Sequence, residues 1–345
     1  MVAKKWMVFL TILVCSVLGW HYYSCSGSCV FGLSHHLDKP PNVKEVLFFF
    51  RVPKTGSEMT VLLLQWLQGI NSFHHIRLQN TVNRRLDTFE QVNLREEILG
   101  VLSASEGLPV AFDRHVYFTD LKRLLYRRTS AVMKVNYFSS LRDPVDRIVS
   151  QFYYRRATPR PNIKLPPHVS TRMPTSYRFQ TMEECLEAAE PECSFVTGQH
   201  YDLQIPYFCG HDEHCTQLNN ARALEQAKTN VELHFRVVGV LEQLNCTLRV
   251  AEQRIGTFFG GVQQLYFKEL LGKANKGRKK CTFFKKEKNT YVFLEPRKNK
   301  NHGRPKQLRE DLQMALRKNL TMEYMFYSFV KQRLLEQCGK NQTKN

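Results

Sequence analysis

Apolar and polar positions fall into alternating short and long patterns along the chain. Residues 46–52 form a brief apolar run rich in phenylalanine, VLFFFRV, which predicts a buried strand. Residues 60–67, TVLLLQWL, predict a helix, and Pro53-Lys54-Thr55-Gly56-Ser57 stands between the two. A second strand is expected over residues 131–141. Arg142-Asp143-Pro144 ends it, and residues 145–156 predict a helix capped by Asp143 with Pro144 at its first position. Residues 235–241 predict a third strand, followed by a helix over 244–259. Residues 307–337 carry a Leu, Met, Phe and Tyr stripe at helical spacing and predict one long helix packed on the core. Strands alternating with helices predict an α/β fold, a parallel sheet flanked by helices.

The N-terminus departs from that alternation. Lys4 and Lys5 precede an uncharged, mostly apolar segment that ends in Trp20, Tyr22 and Tyr23. Its length, roughly 18 residues, is near the lower limit for a membrane span. Lysines before it and aromatics at both ends predict a single-pass anchor with the N-terminus in the cytosol. Bulky residues stand where a cleaved signal peptide wants small ones, so the anchor is preferred to that alternative. The expected organisation is a cytoplasmic tail over 1–5, an anchor over 6–23, a stem over 24–43, a lumenal domain over 44–337 and a tail over 338–345.

Charge and cysteines sharpen this picture. The 345 residues carry a formal net charge of +19 and 10 cysteines. Such a positive excess calls for an acidic partner: nucleic acid, anionic lipid or an acidic polymer. Residues 273–306 are especially dense in Lys and Arg, including Arg278, and predict a basic loop or hairpin at a binding mouth. Cys185 with Cys193, and Cys209 with Cys215, make two close pairs, most economically two local disulfides in an oxidising lumen. A zinc site drawing on His211 and His214 is the alternative, but there is no CxxC and the spacings differ from the common fingers. Sequons at Asn245, Asn319 and Asn341 permit N-glycosylation in a lumen.

The loop after the first strand carries candidate chemistry. A strand, a short glycine- and hydroxyl-containing turn and a helix aim backbone N–H groups at one point, a geometry that binds phosphate or sulfate. Lys54 adds a positive charge, Thr55 and Ser57 add hydroxyls, and Gly56 lets an anion approach the backbone. The GxxxxGK[ST] of phosphate-loop kinases is absent. Arg142 at the second strand tip and Ser150 in the next helix supply a second anion site. Two such sites at the carboxyl ends of parallel strands fit a nucleotide bearing phosphates at both ends.

These residues carry a family resemblance. PKTGS resembles the 5′-phosphosulfate loop of Golgi sulfotransferases, and RDPVDRIVS resembles their 3′-phosphate motif. RVPKT, RHVYF at residues 114–118, RDPVDR, IPYFCGHDEHC at 205–215 and VVGVLEQL at 237–244 follow the order seen in uronosyl 2-O-sulfotransferases. The likeness covers about residues 44–337 and is nearer the uronyl and Pipe branch than the heparan sulfate branch. It implies a sulfotransferase fold resembling phosphate-loop nucleotide kinases. It also implies transfer of a sulfuryl group from 3′-phosphoadenosine 5′-phosphosulfate (PAPS) to the 2-hydroxyl of a uronic acid in a glycosaminoglycan or related glycan, in the Golgi, without a metal. His115 would be the base and Lys54 the electrostatic catalyst. Lys54, Thr55, Gly56, Ser57, Arg142 and Ser150 would hold the donor. Arg51, Tyr153, Tyr154, Arg155, Arg156, Arg160 and Arg278 would meet the acceptor. Relatives form trimers, which makes a homotrimer the expectation.

Two positions depart from the family pattern. Glu58 stands where a small hydroxyl residue is common, and Asp113 where the heparan sulfate enzyme has a second histidine. Glu58 is the one residue that favours the competing reading, a catalytically silent glycosaminoglycan-binding membrane protein of the same fold. A nucleic-acid binder fits the charge but not the expected anchor, sequons and paired cysteines.

Overall fold

In a computed structural model the described residues are 44–80, 83–126, 133–156, 179–271, 285–287, 290–292 and 307–339. The expected anchor and stem and residues 340–345 of the expected tail, with Arg160, Arg278 and Asn341, lie outside them, while Cys338 and Gly339, expected in the tail, belong to the last helix. Among the described residues no helix is long and apolar enough to cross a membrane.

Five strands run β1 (Lys44–Phe50), β2 (His74–Arg77), β3 (Val110–Arg114), β4 (Met133–Leu141) and β5 (Phe235–Val240). They form one sheet in the order β2-β3-β1-β4-β5, with every neighbour parallel. β1 is central, and its Val46–Phe50 stretch is wholly buried because helices cover both faces of the sheet. Phe50 faces the rings of Phe118, Tyr137 and Phe235, which fills the core beneath the carboxyl ends of three strands.

Strand register brings three chain segments together. Phe50 at the end of β1 pairs with Arg114 on β3 and with Ser139 on β4. The turns leaving these three neighbouring strands therefore meet at one edge of the sheet. They lead into α1 (Ser57–Asn71) after β1 and α2 (Pro144–Arg155) after β4. On α2 the Asp143 carboxylate accepts from the Val145 and Asp146 backbone amides, and Pro144 opens the helix as expected.

Two expected helices are broken. The helix after β5 is α3 (Leu244–Arg254), which stops at Ile255 with φ −134° and ψ 44° before a short turn over Gly256–Phe259. The C-terminal helix is two pieces, α4 (Glu310–Asn319) and α5 (Thr321–Gly339), split at Leu320, whose side chain is wholly buried. The expected basic hairpin contains two short antiparallel strands, Lys285–Glu287 and Thr290–Val292.

Among the described residues there are three disulfides. Cys185–Cys193 and Cys209–Cys215 are the two expected local pairs. Cys246–Cys338, which sequence spacing left open, ties the start of α3 to the end of α5 across 92 residues. His211 takes no part near the second pair: its Nδ1 accepts from the Leu86 amide and its Nε2 lies 2.9 Å from Thr119 Oγ1. His214 Nε2 sits 4.0 Å and 3.9 Å from the sulfurs of Cys209 and Cys215 and 3.0 Å from Gln226 Oε1. Asn245 and Asn319 are both exposed, as glycan acceptors must be.

Candidate active site

The loop between β1 and α1 is shaped by two residues in the left-handed region, Lys54 at φ 70° and Gly56 at φ 80°. That conformation is unfavourable for a residue with a side chain, so its presence at Lys54 marks a strained and purposeful turn. α1 begins with no side-chain cap hydrogen bond, leaving its N-terminal amides aimed at the space above the loop. A Cβ added to Gly56 would lie 2.8 Å from Leu241 Cδ1. Gly56→Ala is expected to cost roughly 1–2 kcal/mol from the backbone alone, read as a lower urea midpoint. An unchanged midpoint would mean that the loop is not held in this form.

Side chains from β4 brace the loop. Ser139 Oγ donates to the Phe50 carbonyl at 2.7 Å, and Ser140 Oγ lies 3.0 Å from Thr55 Oγ1. Thr55 Oγ1 donates to the Val52 carbonyl at 2.9 Å, so its one hydroxyl proton serves the turn, and its backbone is what it presents to an anion. Lys54 Nζ rests 4.1 Å above the Tyr154 ring. Burial, helped by the positive charges of Arg142 and Arg147, pulls the Lys54 pKa down to about 8, while Glu58 opposes the shift. A lysine among arginines with only one opposing carboxylate is short of anions, which is the electrostatic signature of a phosphate site.

The second arm is equally fixed. Gln204 clamps the backbone of Arg142 from both sides, accepting its N–H at 3.0 Å and donating to its carbonyl at 2.9 Å. The Gln204 and Ile205 amides donate in turn to the buried Glu323 carboxylate. The Arg142 guanidinium, 27% exposed, has only Asp146 at 3.6 Å as an ion-pair partner among the described residues. Ser150 lies two turns along α2, half-buried.

His115 is the first residue after β3. Its Nδ1 lies 2.8 Å from the Arg51 carbonyl, and its backbone N–H donates to Asn80 Oδ1 at 2.9 Å. A carbonyl only accepts, so Nδ1 carries the proton and the lone pair is on Nε2, the tautomer a general base needs. Burial, then the Arg51 charge, lowers its pKa to about 4. His115 is therefore neutral at physiological pH.

A buried ion network stands behind the histidine. The Arg51 guanidinium is wholly buried, donating to Asp113 Oδ1 at 2.8 Å and pairing with Glu58. Asp113 Oδ2 lies 2.9 Å from His75 Nε2, and Arg77 donates to Glu58 at 2.8 Å. Glu58 is thus committed to two arginines. Burial would raise its pKa, but Arg51 and Arg77 outweigh that and hold it below the usual carboxylate value. Its charge is neutralised on the flank of the loop.

The residues expected at the acceptor separate into two groups. Tyr154 and Arg155 are exposed on α2. Arg51, Tyr153 and Arg156 are buried, and this corrects their expected place at the cleft surface. The helical period explains it: positions 149, 152, 153 and 156 share the inward face of α2, and 154 and 155 point away. Tyr153 OH accepts from the Met182 amide, and Arg156 pairs with Glu192 while lying 3.5 Å over the Phe152 ring. Arg147 is the residue that sequence reasoning passed over. It is 1% exposed, and its Nε donates to the Pro53 carbonyl at 3.3 Å. An arginine amid the apolar stripe of α2 was its available signal.

Comparison with known proteins agrees with the geometry. Residues 42–330 match the sulfotransferase family. The chain is 28% identical over 300 residues to the uronyl 2-sulfotransferase homolog pip of Drosophila melanogaster, covering 84% of this chain and 52% of that protein. It is 33% identical over 247 residues to the uronyl 2-sulfotransferase of Homo sapiens, covering 68% and 56%. To heparan sulfate 2-O-sulfotransferase 1 of Gallus gallus it is 30% identical over 233 residues, covering 67% and 60%. It thus spans between half and three fifths of the length of these curated relatives.

Proposed function

We propose, from the premise that the chain belongs to the sulfotransferase family, that it moves a sulfuryl group from PAPS to the 2-hydroxyl of a uronic acid in an acidic glycan. One observation carries this reading. Lys54, His115 and Arg142 leave three adjacent parallel strands at the same edge of the sheet, set by the pairing of Phe50 with Arg114 and Ser139.

The residues fit the donor. The uncapped start of α1, the Gly56 turn and Lys54 suit a 5′-phosphosulfate, and Arg142 with Ser150 suits a 3′-phosphate. When bound, PAPS supplies an activated sulfuryl group with a phosphate as the leaving group. Lys54 holds a positive charge where the leaving phosphate gains a negative one. His115 Nε2 takes the proton of the attacking sugar hydroxyl, while the Arg51 carbonyl holds its Nδ1–H. Tyr154 and Arg155 offer an aromatic face and a positive charge to the acceptor. The alternative, a silent glycan binder, leaned on Glu58, and the pairing of Glu58 with Arg51 and Arg77 removes that support.

Sulfate transfer from labelled PAPS to heparan, dermatan and chondroitin chains tests the reading. Label at the uronate 2-position supports it. Absence of transfer to every chain refutes it. The pH profile of kcat/KM is a second check. The reaction requires neutral His115 and protonated Lys54, so activity is expected between limbs near pH 4 and pH 8. Donor anions favour the charged lysine, so the basic limb of kcat is expected at higher pH than that of kcat/KM. An acid limb near the ordinary histidine value, about 6.5, would contradict the buried, Arg51-flanked site.

The reading extends to place and assembly. A single-pass anchor over residues 6–23 and a Golgi lumenal domain from residue 44 belong to the same proposal, supported by the apolar segment that follows Lys4 and Lys5, three disulfides and exposed Asn245 and Asn319, and a homotrimer joins it on the family resemblance alone.

A further inference from the structure

Behind the donor loop, α2 borders a cavity of about 60 Å³ whose far wall includes Met182, Phe195 and Leu203. Two polar atoms of α2 in its lining are buried without a hydrogen-bond partner among the described residues, Arg147 Nη2 and Gln151 Oε1. They are four residues apart and so lie on one face of the helix. An unpaired guanidinium N–H in a buried wall is costly, and a native structure accounts for it with water or a ligand. The two atoms want different things: Arg147 needs an acceptor oxygen, ideally anionic, and Gln151 needs a donor such as a hydroxyl.

Charge in the lining favours an anion. Its two carboxylates are already taken, Asp202 by Arg84 and Glu192 by Arg156. Arg147 and the exposed Arg155 are left as the excess charge around the space. The volume is about that of two waters in the liquid, so it admits one oxyanion head group and not a sugar ring. The Nε of Arg147 holds the Pro53 carbonyl of the donor loop, which places the cavity next to the transfer site.

We infer that this cavity receives an acid head group, a sulfate monoester or carboxylate, of the acceptor sugar next to the one that reacts, with Gln151 taking a hydroxyl of the same sugar. This deepens the proposed function and rests on its acidic-glycan acceptor. Arg147 and Gln151 then set which acidic chain is accepted.

The test measures equilibrium binding of defined acceptor oligosaccharides to the full-length protein in the presence of the desulfated donor product. No turnover is involved, so failure to transfer sulfate would refute the reaction and not the cavity. Desulfated and carboxyl-reduced oligosaccharides form the two arms. Removal of the correct acid group is expected to weaken binding roughly ten- to hundredfold. The sensitive arm identifies the source. In Gln151→Leu and Arg147→Lys that sensitivity is expected to shrink to a few fold, and in Gln151→Leu donor-product binding is expected to stay unchanged. If Arg147→Lys fails to fold, Gln151→Leu decides alone. Equal binding of all three oligosaccharides, variants as selective as the wild type, or a complex with only ordered water in the cavity would each overturn the inference.

Discussion

His115→Ala is expected to lower kcat/KM for sulfate transfer roughly 10²–10⁴-fold while leaving affinity for the donor product unchanged. The separation follows from position. His115 leaves β3, and the groups suited to the donor leave β1 and β4. Its lone pair is fixed on Nε2 because Nδ1–H donates to the Arg51 carbonyl. Alanine keeps the backbone N–H bond to Asn80 and forfeits only the ring's hydrogen bond to the Arg51 carbonyl. Single-turnover rates with prebound donor would isolate the chemical step. A fall smaller than about tenfold would place the base elsewhere, and parallel loss of donor binding would mean that the substitution had damaged the loop.

How much of this was legible beforehand differs from element to element. β1 announced itself because a strand buried on both faces is written as an unbroken apolar run, Val46–Phe50, whereas in β4 the apolar residues are interrupted by Lys134, Asn136, Ser139 and Ser140. α2 was bounded correctly by its cap, since Asp143 and Pro144 act locally. β2, HHIR, is short and partly exposed at the sheet edge, and nothing in its four residues marks it as a strand. The breaks at Ile255 and Leu320 were invisible because apolar periodicity continues across a single residue with non-helical backbone. Distance along the chain also proved a poor guide to side. Arg51, Tyr153 and Arg156 are near the donor motifs in sequence, yet only the register of α2 and the partners Asp113 and Glu192 decide that they face inward. The Cys246–Cys338 link, 92 residues long, depends on how α3 and α5 pack and has no local signal.

The same dependence on tertiary partners makes Asp113→Ala the largest expected loss of stability. Asp113 is wholly buried and binds Arg51 through one oxygen and His75 through the other. Burial works against its ionisation, but the His75 hydrogen bond and the Arg51 and Arg77 charges prevail, and its pKa is held below the ordinary carboxylate value. Removing it leaves the wholly buried Arg51 guanidinium, whose Nε already lacks a partner among the described residues, with the exposed Glu58 to face. Breaking a buried pair from one side costs roughly 3–5 kcal/mol, well above the value of a surface pair. A urea midpoint should fall accordingly at neutral pH. The pH dependence has a definite sign. A carboxylate with a depressed folded pKa contributes stability that is present above its unfolded pKa and lost as pH falls through the folded value. The gap between wild type and variant should therefore persist down to about pH 4 and close only below it. Arg51 also supplies the carbonyl that orients His115, so catalysis should weaken at temperatures where the variant remains folded. A loss below about 1 kcal/mol, the range of a surface pair, would show that Arg51 finds water or another partner, and the position would then carry no special weight in holding the base.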